Sequence, residues 1–134
     1  MKITVLTLFP EFFDSFQSTS IIKRAIEQGK VEFETVDFRK YTLDKHNHVD
    51  DTPYGGGQGM VLSCQPIVDC LKDVRTEDSF VIMMTPQGER FHQGMAHSLA
   101  IETKHLIILC GHYEGFDERL RSYVDMDVSL GAFV

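Results

Sequence analysis

Phe80-Val81-Ile82-Met83-Met84-Thr85, then Pro86-Gln87-Gly88, then His92 to Ala100, then Leu106-Ile107-Ile108-Leu109-Cys110-Gly111: these residues decide the fold of the chain. Two short apolar runs, each bounded by glycine or proline, read as buried strands, and the segment between them has the length of a helix. Strand, helix and strand in that order imply a parallel pair joined by a crossover. The same alternation extends in both directions. Ile3 to Leu8 is β-prone and stops at Pro10, where Pro10-Glu11 suits a helical first turn and Phe12, Phe13 and Phe16 share one face. Ser20 is placed as an N-cap for a helix from Ile21 to Gln28, with Ile21, Ile22, Ala25 and Ile26 as its buried stripe and Gly29 as its C′ residue. Val31 to Phe38 reads as a strand, Pro66 to Leu71 and Phe116 to Val124 as helices, and Met126 to Ser129 as a last strand. The fold class is α/β, a mostly parallel sheet with helices on both faces.

Composition narrows the function. The 134 residues suffice for one domain, and 43% hydrophobic with 25% charged residues exclude a disordered or collagen-like chain. No apolar run approaches the roughly 20 residues of a membrane span, and Met1-Lys2 opens no secretion signal, so the expected location is the cytoplasm with no membrane partner. The three cysteines, Cys64, Cys70 and Cys110, lack CxxC spacing and read as buried free thiols. A net charge of −7 argues against a general nucleic-acid coat but leaves room for a local basic groove.

Ligands of open parallel sheets bind beyond the carboxyl ends of the strands. Three segments are expected there: Thr85-Pro86-Gln87-Gly88, Cys110-Gly111-His112-Tyr113-Glu114-Gly115 and Ser129-Leu130-Gly131-Ala132. Each offers glycine for close backbone approach. Arg39 to Met60 has little periodicity, and so long an irregular stretch implies a use. Its Pro53-Tyr54-Gly55-Gly56-Gly57-Gln58-Gly59-Met60 cluster fits neither the dinucleotide fingerprint nor the P-loop and reads as a surface loop or a substrate lid. His46-Asn47-His48-Val49-Asp50 has the look of a hydrolase metal run, although no further histidines recur at ligand spacing; the expected metal set is none. Arg119 and Arg121 read as solvated helix charges or phosphate contacts.

Taken in order, Leu8-Phe9-Pro10-Glu11, Val49-Asp50-Asp51-Thr52-Pro53-Tyr54-Gly55-Gly56-Gly57-Gln58-Gly59-Met60, Pro86-Gln87-Gly88, Cys110-Gly111-His112-Tyr113-Glu114-Gly115-Phe116-Asp117-Glu118-Arg119 and Ser129-Leu130-Gly131 resemble the bacterial tRNA (guanine-N1)-methyltransferases that modify guanine 37. The resemblance covers 1–134. It implies a SPOUT-type domain with a trefoil knot, here incomplete, S-adenosylmethionine as cofactor, a homodimer, the tRNA anticodon loop as partner, and Mg²⁺ as an aid to activity. It assigns Met84, Pro86, Gln87, Gly88, Gly111, Tyr113, Leu130, Gly131, Ala132, Phe133 and Val134 to the cofactor. Glu114, Asp50, Gly55, Gly57 and Gly59 fall to the substrate.

Ala132 stands where the family usually carries Asp. The resemblance puts the general base, an Asp with an Arg partner, beyond Val134, so no catalytic residue is assigned within the chain. It makes 1–134 a truncated cofactor-binding domain without the C-terminal tRNA-binding domain, and inactive alone. Two other readings remain: a metal-dependent hydrolase on His46, His48 and Asp50, and a non-catalytic piece that binds cofactor or dimerises.

Overall fold

The computed structural model describes residues 1–43, 50–51, 61–62, 64–111 and 118–132. Strand β1 (Lys2–Leu6) pairs in parallel with β2 (Glu32–Val36) on one side and with β6 (His105–Leu109) on the other. β5 (Ser79–Arg90) pairs with β6 and then with β7 (Met126–Ser129), both in parallel. The five-stranded sheet therefore runs β2-β1-β6-β5-β7. A separate antiparallel pair joins β3 (Asp50–Asp51), inside the stretch read as irregular, to β4 (Val61–Leu62) just past it.

Alternation along the strands fixes two cores. Leu6, Val81, Met83, Ile107 and Leu109 face α3 (Cys64–Val74), from which Ile67, Val68, Cys70 and Leu71 descend, with Phe38 and Leu120 closing the layer. Ile82, Leu106 and Val128 face the other way, toward Met95 and Leu99 of α4 (Gln93–Glu102). Helices thus cover both faces, as expected. Pro66 lies in the first turn of α3, where its missing N–H leaves no helical hydrogen bond unmade.

The amino-terminal part differs in detail from its sequence pattern. Pro10–Phe13 is a 3-10 turn leading into α1 (Asp14–Gln17). Phe13 and Phe16 clasp Phe33 of β2, with ring centroids 6.1 Å and 5.5 Å from it, whereas Phe12 is 79% exposed. Ser20 is not the N-cap of α2 (Ser20–Glu27) but its first residue, with φ 54°. Thr19 takes the flanking extended position, and its hydroxyl turns back to donate to the Ser15 carbonyl at 2.5 Å. The buried stripe also narrows, since Ile21 is 72% exposed while Ile22, Ala25 and Ile26 are half-buried. Gly29 ends the helix with φ 71°, as its C′ assignment requires. The strand expected over Val31 to Phe38 stops at Val36, because Asp37 caps a 3-10 turn over Phe38–Tyr41. Glu118–Tyr123 is likewise a 3-10 turn in place of the expected helix.

Candidate functional site at the carboxyl ends of the strands

β5, β6 and β7 run parallel, so their carboxyl ends lie at one end of the sheet. Met83 stands in register with Leu109, and the Cys110 N–H continues β6 by donating to the Leu6 carbonyl at 2.9 Å. That ladder delivers Gly111, half-buried, to the sheet edge.

The expected loop Thr85 to Gly88 takes a form that the sequence does not announce. β5 does not end at Thr85; it runs on to Arg90. Val128 of β7 pairs with Met84 and again with Glu89, so 85–88 arch out of the ladder before pairing resumes at Glu89 and continues with Arg90 opposite Ser129. Pro86 cannot donate to a ladder, which suits it to such an excursion. Phe91 closes the far side, its N–H donating to the Ser129 carbonyl at 2.8 Å. Within the arch the Thr85 hydroxyl donates to Gln87 Oε1 at 2.6 Å, and Pro86 and Gln87 are exposed.

Gly88 presses on the neighbouring strand. A Cβ built there would lie 2.5 Å from the Val128 nitrogen and 2.6 Å from the Asp127 carbonyl carbon. Only a residue without a side chain allows that crossing. Beyond it, Ser129 Oγ accepts from the Gly131 N–H at 3.1 Å, and Gly131 holds φ 149°. Leu130 projects outward at 63% exposure. Met84 and Leu130 line one apolar groove of about 310 Å³ that runs along the α4 face of the sheet, past Leu106 and Ile3, as far as Met1 before the amino end of β1.

The structure therefore gathers Met84, Pro86, Gln87, Gly88, Gly111, Leu130, Gly131 and Ala132 at one end of the sheet. Tyr113, Glu114, Phe133, Val134, Gly55, Gly57 and Gly59 lie outside the described residues, as do His46 and His48. Asp50 is described as the ladder partner of Leu62. Among the described residues, no three His, Cys, Asp or Glu side chains stand close enough to share an ion.

Burial pushes the Cys110 thiol up to about 11, and burial with Asp73 and Asp37 pushes Cys70 up to about 12, so neither is a thiolate at neutral pH. Arg121 donates to Glu118 at 2.7 Å and pairs with Asp127, with its side chain still 46% exposed. One organising residue escaped the sequence reading. Arg39 grips both oxygens of Asp37 and donates to the Leu8 carbonyl at 2.8 Å, fixing the exit of β1 at this same end. Its position at the start of an aperiodic stretch gave no signal of that role.

Comparison with known proteins supplies the lineage. The profile of the family described as tRNA (Guanine-1)-methyltransferase TrmD matches residues 1–134. The chain belongs to the tRNA (guanine-1)-methyltransferase family. A tRNA (guanine-N(1)-)-methyltransferase of Malacoplasma penetrans (strain HF-2) is 53% identical over 134 residues, covering 100% of this chain and 59% of that protein. One from Clostridium botulinum (strain Hall) is 56% identical over 135 residues, covering 100% of this chain and 55% of that protein. One from Phytoplasma australiense is 52% identical over 134 residues, with 55% of that protein covered. The chain thus spans little more than half the length of the relatives it matches. Family membership takes the place of the hydrolase reading, which had only the spacing of His46, His48 and Asp50 behind it. No helix among the described residues is long and apolar enough to cross a membrane.

Proposed function

We propose that this chain holds S-adenosylmethionine at the carboxyl ends of β5, β6 and β7, for methyl transfer to N1 of guanine 37 in a tRNA anticodon loop. One observation carries the reading. The described parts of three segments singled out by sequence, 85–88, 110–111 and 129–132, lie at one sheet end in a chain that its family matches throughout. The residues suit the cofactor. The groove of Met84 and Leu130 is apolar, Gly88 and Gly111 are slender, and no phosphate-binding glycine motif is present, as befits a ligand without phosphate. When bound, S-adenosylmethionine supplies a methyl group already activated on a sulfonium.

The chain's own residues align and shield. Backbone along Pro86 to Gly88, at Gly111 and along Leu130 to Ala132 holds the adenosine and methionine parts, with Tyr113, Phe133 and Val134 assigned to the same ligand by resemblance. Met84 and Leu130 keep water from the groove, and alignment of reacting atoms is itself a large part of such a barrier. Glu114 accepts hydrogen bonds from guanine N1–H and the 2-amino group, an edge exposed only when the base is splayed from a single strand. As the N1 proton leaves, charge gathers toward O6, where a cationic group would offset it. Asp50 and the Gly55, Gly57 and Gly59 run border the tRNA.

The homodimer, the cytoplasmic setting and the knotted SPOUT-type path belong to the same proposal. The path draws support from β7, which lies beyond β5 so that the chain leaving β6 crosses to the far side.

The test is a pair of assays. Equilibrium dialysis of the 134-residue chain with labelled S-adenosylmethionine is expected to show saturable binding. Labelled methyl transfer by a chain of the relatives' full length is expected on unmodified tRNA and not on tRNA with adenine at position 37. Failure of saturable binding by folded chain, or equal labelling of both tRNAs, contradicts the reading.

A further inference from the structure

The return of β5 to the ladder after its arch fixes where Arg90 stands. Arg90 is in register with Ser129, and before the arch Met83 is in register with Asp127. Residues in register share a face of the sheet, and so do Asp127 and Ser129, two apart on β7. Met83 packs in the core beneath α3, so this is the α3 face. Phe91, the next residue, lines the apolar groove on the α4 face. Alternation therefore turns Arg90 away from the groove given to the cofactor while keeping it at the same end of the sheet.

Several cations of this chain are committed to its own carboxylates: Arg39 to Asp37, Arg75 to Asp125, and Arg121 to Glu118 and Asp127. Arg90 is not. It is exposed, and among the described residues its side chain has no ion pair or hydrogen bond. Asp127, the carboxylate of its own face on β7, is already engaged by Arg121. A guanidinium so placed keeps its charge and its planar fork of donors for an acceptor from outside.

We propose that Arg90 grips a backbone phosphate of the tRNA strand that carries guanine 37, on the α3 side of the cofactor. The inference rests on the function proposed above and gives it a substrate-binding residue. The side follows from chain order. The run Gly55 to Gly59, given to the substrate, precedes β4, which leads within two residues into α3. Glu114 precedes Glu118–Tyr123, whose Leu120 joins the core beneath α3. The kind of ligand follows from charge. The chain carries −7 overall, so a polyanion is held only where a local cation meets it. A guanidinium matches two phosphate oxygens at once. Such a contact reads no base; it fixes the register and orientation of the strand, and with them the approach of N1 to the methyl group.

Filter binding of unmodified tRNA to a chain of the relatives' full length, repeated over a range of KCl, counts phosphate contacts as the slope of log affinity against log salt. Arg90→Gln is expected to weaken binding and to flatten that slope by about 0.7–0.9, the share of one phosphate. Affinity for S-adenosylmethionine should be kept, and Arg90→Lys should keep the slope. Lys104→Gln removes the same charge beside the amino end of β6 and should leave the slope at the wild-type value. An unchanged slope in Arg90→Gln overturns the proposal, and so does equal flattening in Lys104→Gln, which would make the effect one of net charge. Lost S-adenosylmethionine affinity with an unchanged slope also overturns it, by moving Arg90 to the cofactor's carboxylate. Wild type that methylates guanine 37 while Arg90→Gln keeps its slope refutes this inference alone. Wild type that neither binds nor methylates tRNA refutes the proposed function and this inference together.

Discussion

Gly88 carries the sharpest steric demand at the crevice, since any Cβ would meet Val128 and Asp127 backbone at 2.5 to 2.7 Å. Backbone cannot swing aside as the tip of a side chain can, so β5 and β7 must part. Gly88→Ala is expected to destabilise the chain by about 1–3 kcal/mol, the usual range for overpacking, read as a lowered urea midpoint. It should weaken S-adenosylmethionine binding as well, because the arch and the Leu130 to Ala132 wall meet at that crossing. An unchanged midpoint would remove the crossing from the account. Glu114 makes a chemical demand instead. Glu114→Gln keeps the size but exchanges an acceptor-only group for a mixed one, and a lost hydrogen bond to a charged group costs about 1.5–3 kcal/mol. Methylation of guanine 37 in a full-length chain is expected to drop tenfold or more at subsaturating tRNA, with cofactor affinity intact. Equal methylation would take Glu114 out of the guanine site.

Among the elements, β7 depends on how its first turn is tied to β5. Asp125 donates its N–H to the Val81 carbonyl at 2.8 Å and accepts the Val81 N–H on its carboxylate at 2.8 Å, while Arg75 reaches the same carboxylate at 3.1 Å. Asp125→Ala leaves a buried N–H orphaned and is expected to lower stability by about 1–3 kcal/mol. Arg75→Ala removes a partly exposed ion pair, worth about 0–1 kcal/mol, and a hydrogen bond to the Tyr123 carbonyl at 3.1 Å, while leaving the Val81 N–H satisfied. Chemical denaturation of both variants checks the order, and equal losses would assign the effect to the ion pair. The strands of the five-stranded sheet and the helices α3 and α4 were legible because short apolar runs bounded by breakers report local packing, whereas the β3–β4 pair carried no such pattern. The extension of β5 to Arg90 was not. Pro86 and Gly88 are breakers in a linear reading, and only the return of β7 alongside shows that they bridge one strand. The hydrogen bonds of His105 at the amino end of β6 gave no signal for a similar reason, since its partners Thr4 and Ser79 lie 101 and 26 residues away. Three candidate segments were found in sequence because parallel topology alone places strand exits together, while Arg39 depended on a carbonyl 31 residues distant.

At the scale of the molecule, titration should bound a stability plateau on its alkaline side. The Asp73 hydrogen bond, then burial, raises Tyr41 to about 12 from 10.0, and burial raises Cys70 to about 12 and Cys110 to about 11 from 9.0. Each folded value lies above its unfolded one, so the neutral forms favour the fold and their contribution is whole below pH 9. It is lost as pH rises through 9 to 12, thiols first. Urea midpoints taken from pH 8 upward are expected to fall over that window, with Tyr41→Phe removing the part above pH 10; a flat profile would contradict it. The central claim concerns the carboxyl end of the sheet, where three strand exits meet. Titrating nitrogen-15-labelled chain with S-adenosylmethionine and following backbone amides tests it most directly. Saturable shifts at Gln87, Gly88, Gly111, Leu130, Gly131 and Ala132, with Thr4, Ser79 and His105 unmoved, are the expected result. No saturable change in folded protein, or shifts centred on the amino ends of the strands, would contradict it.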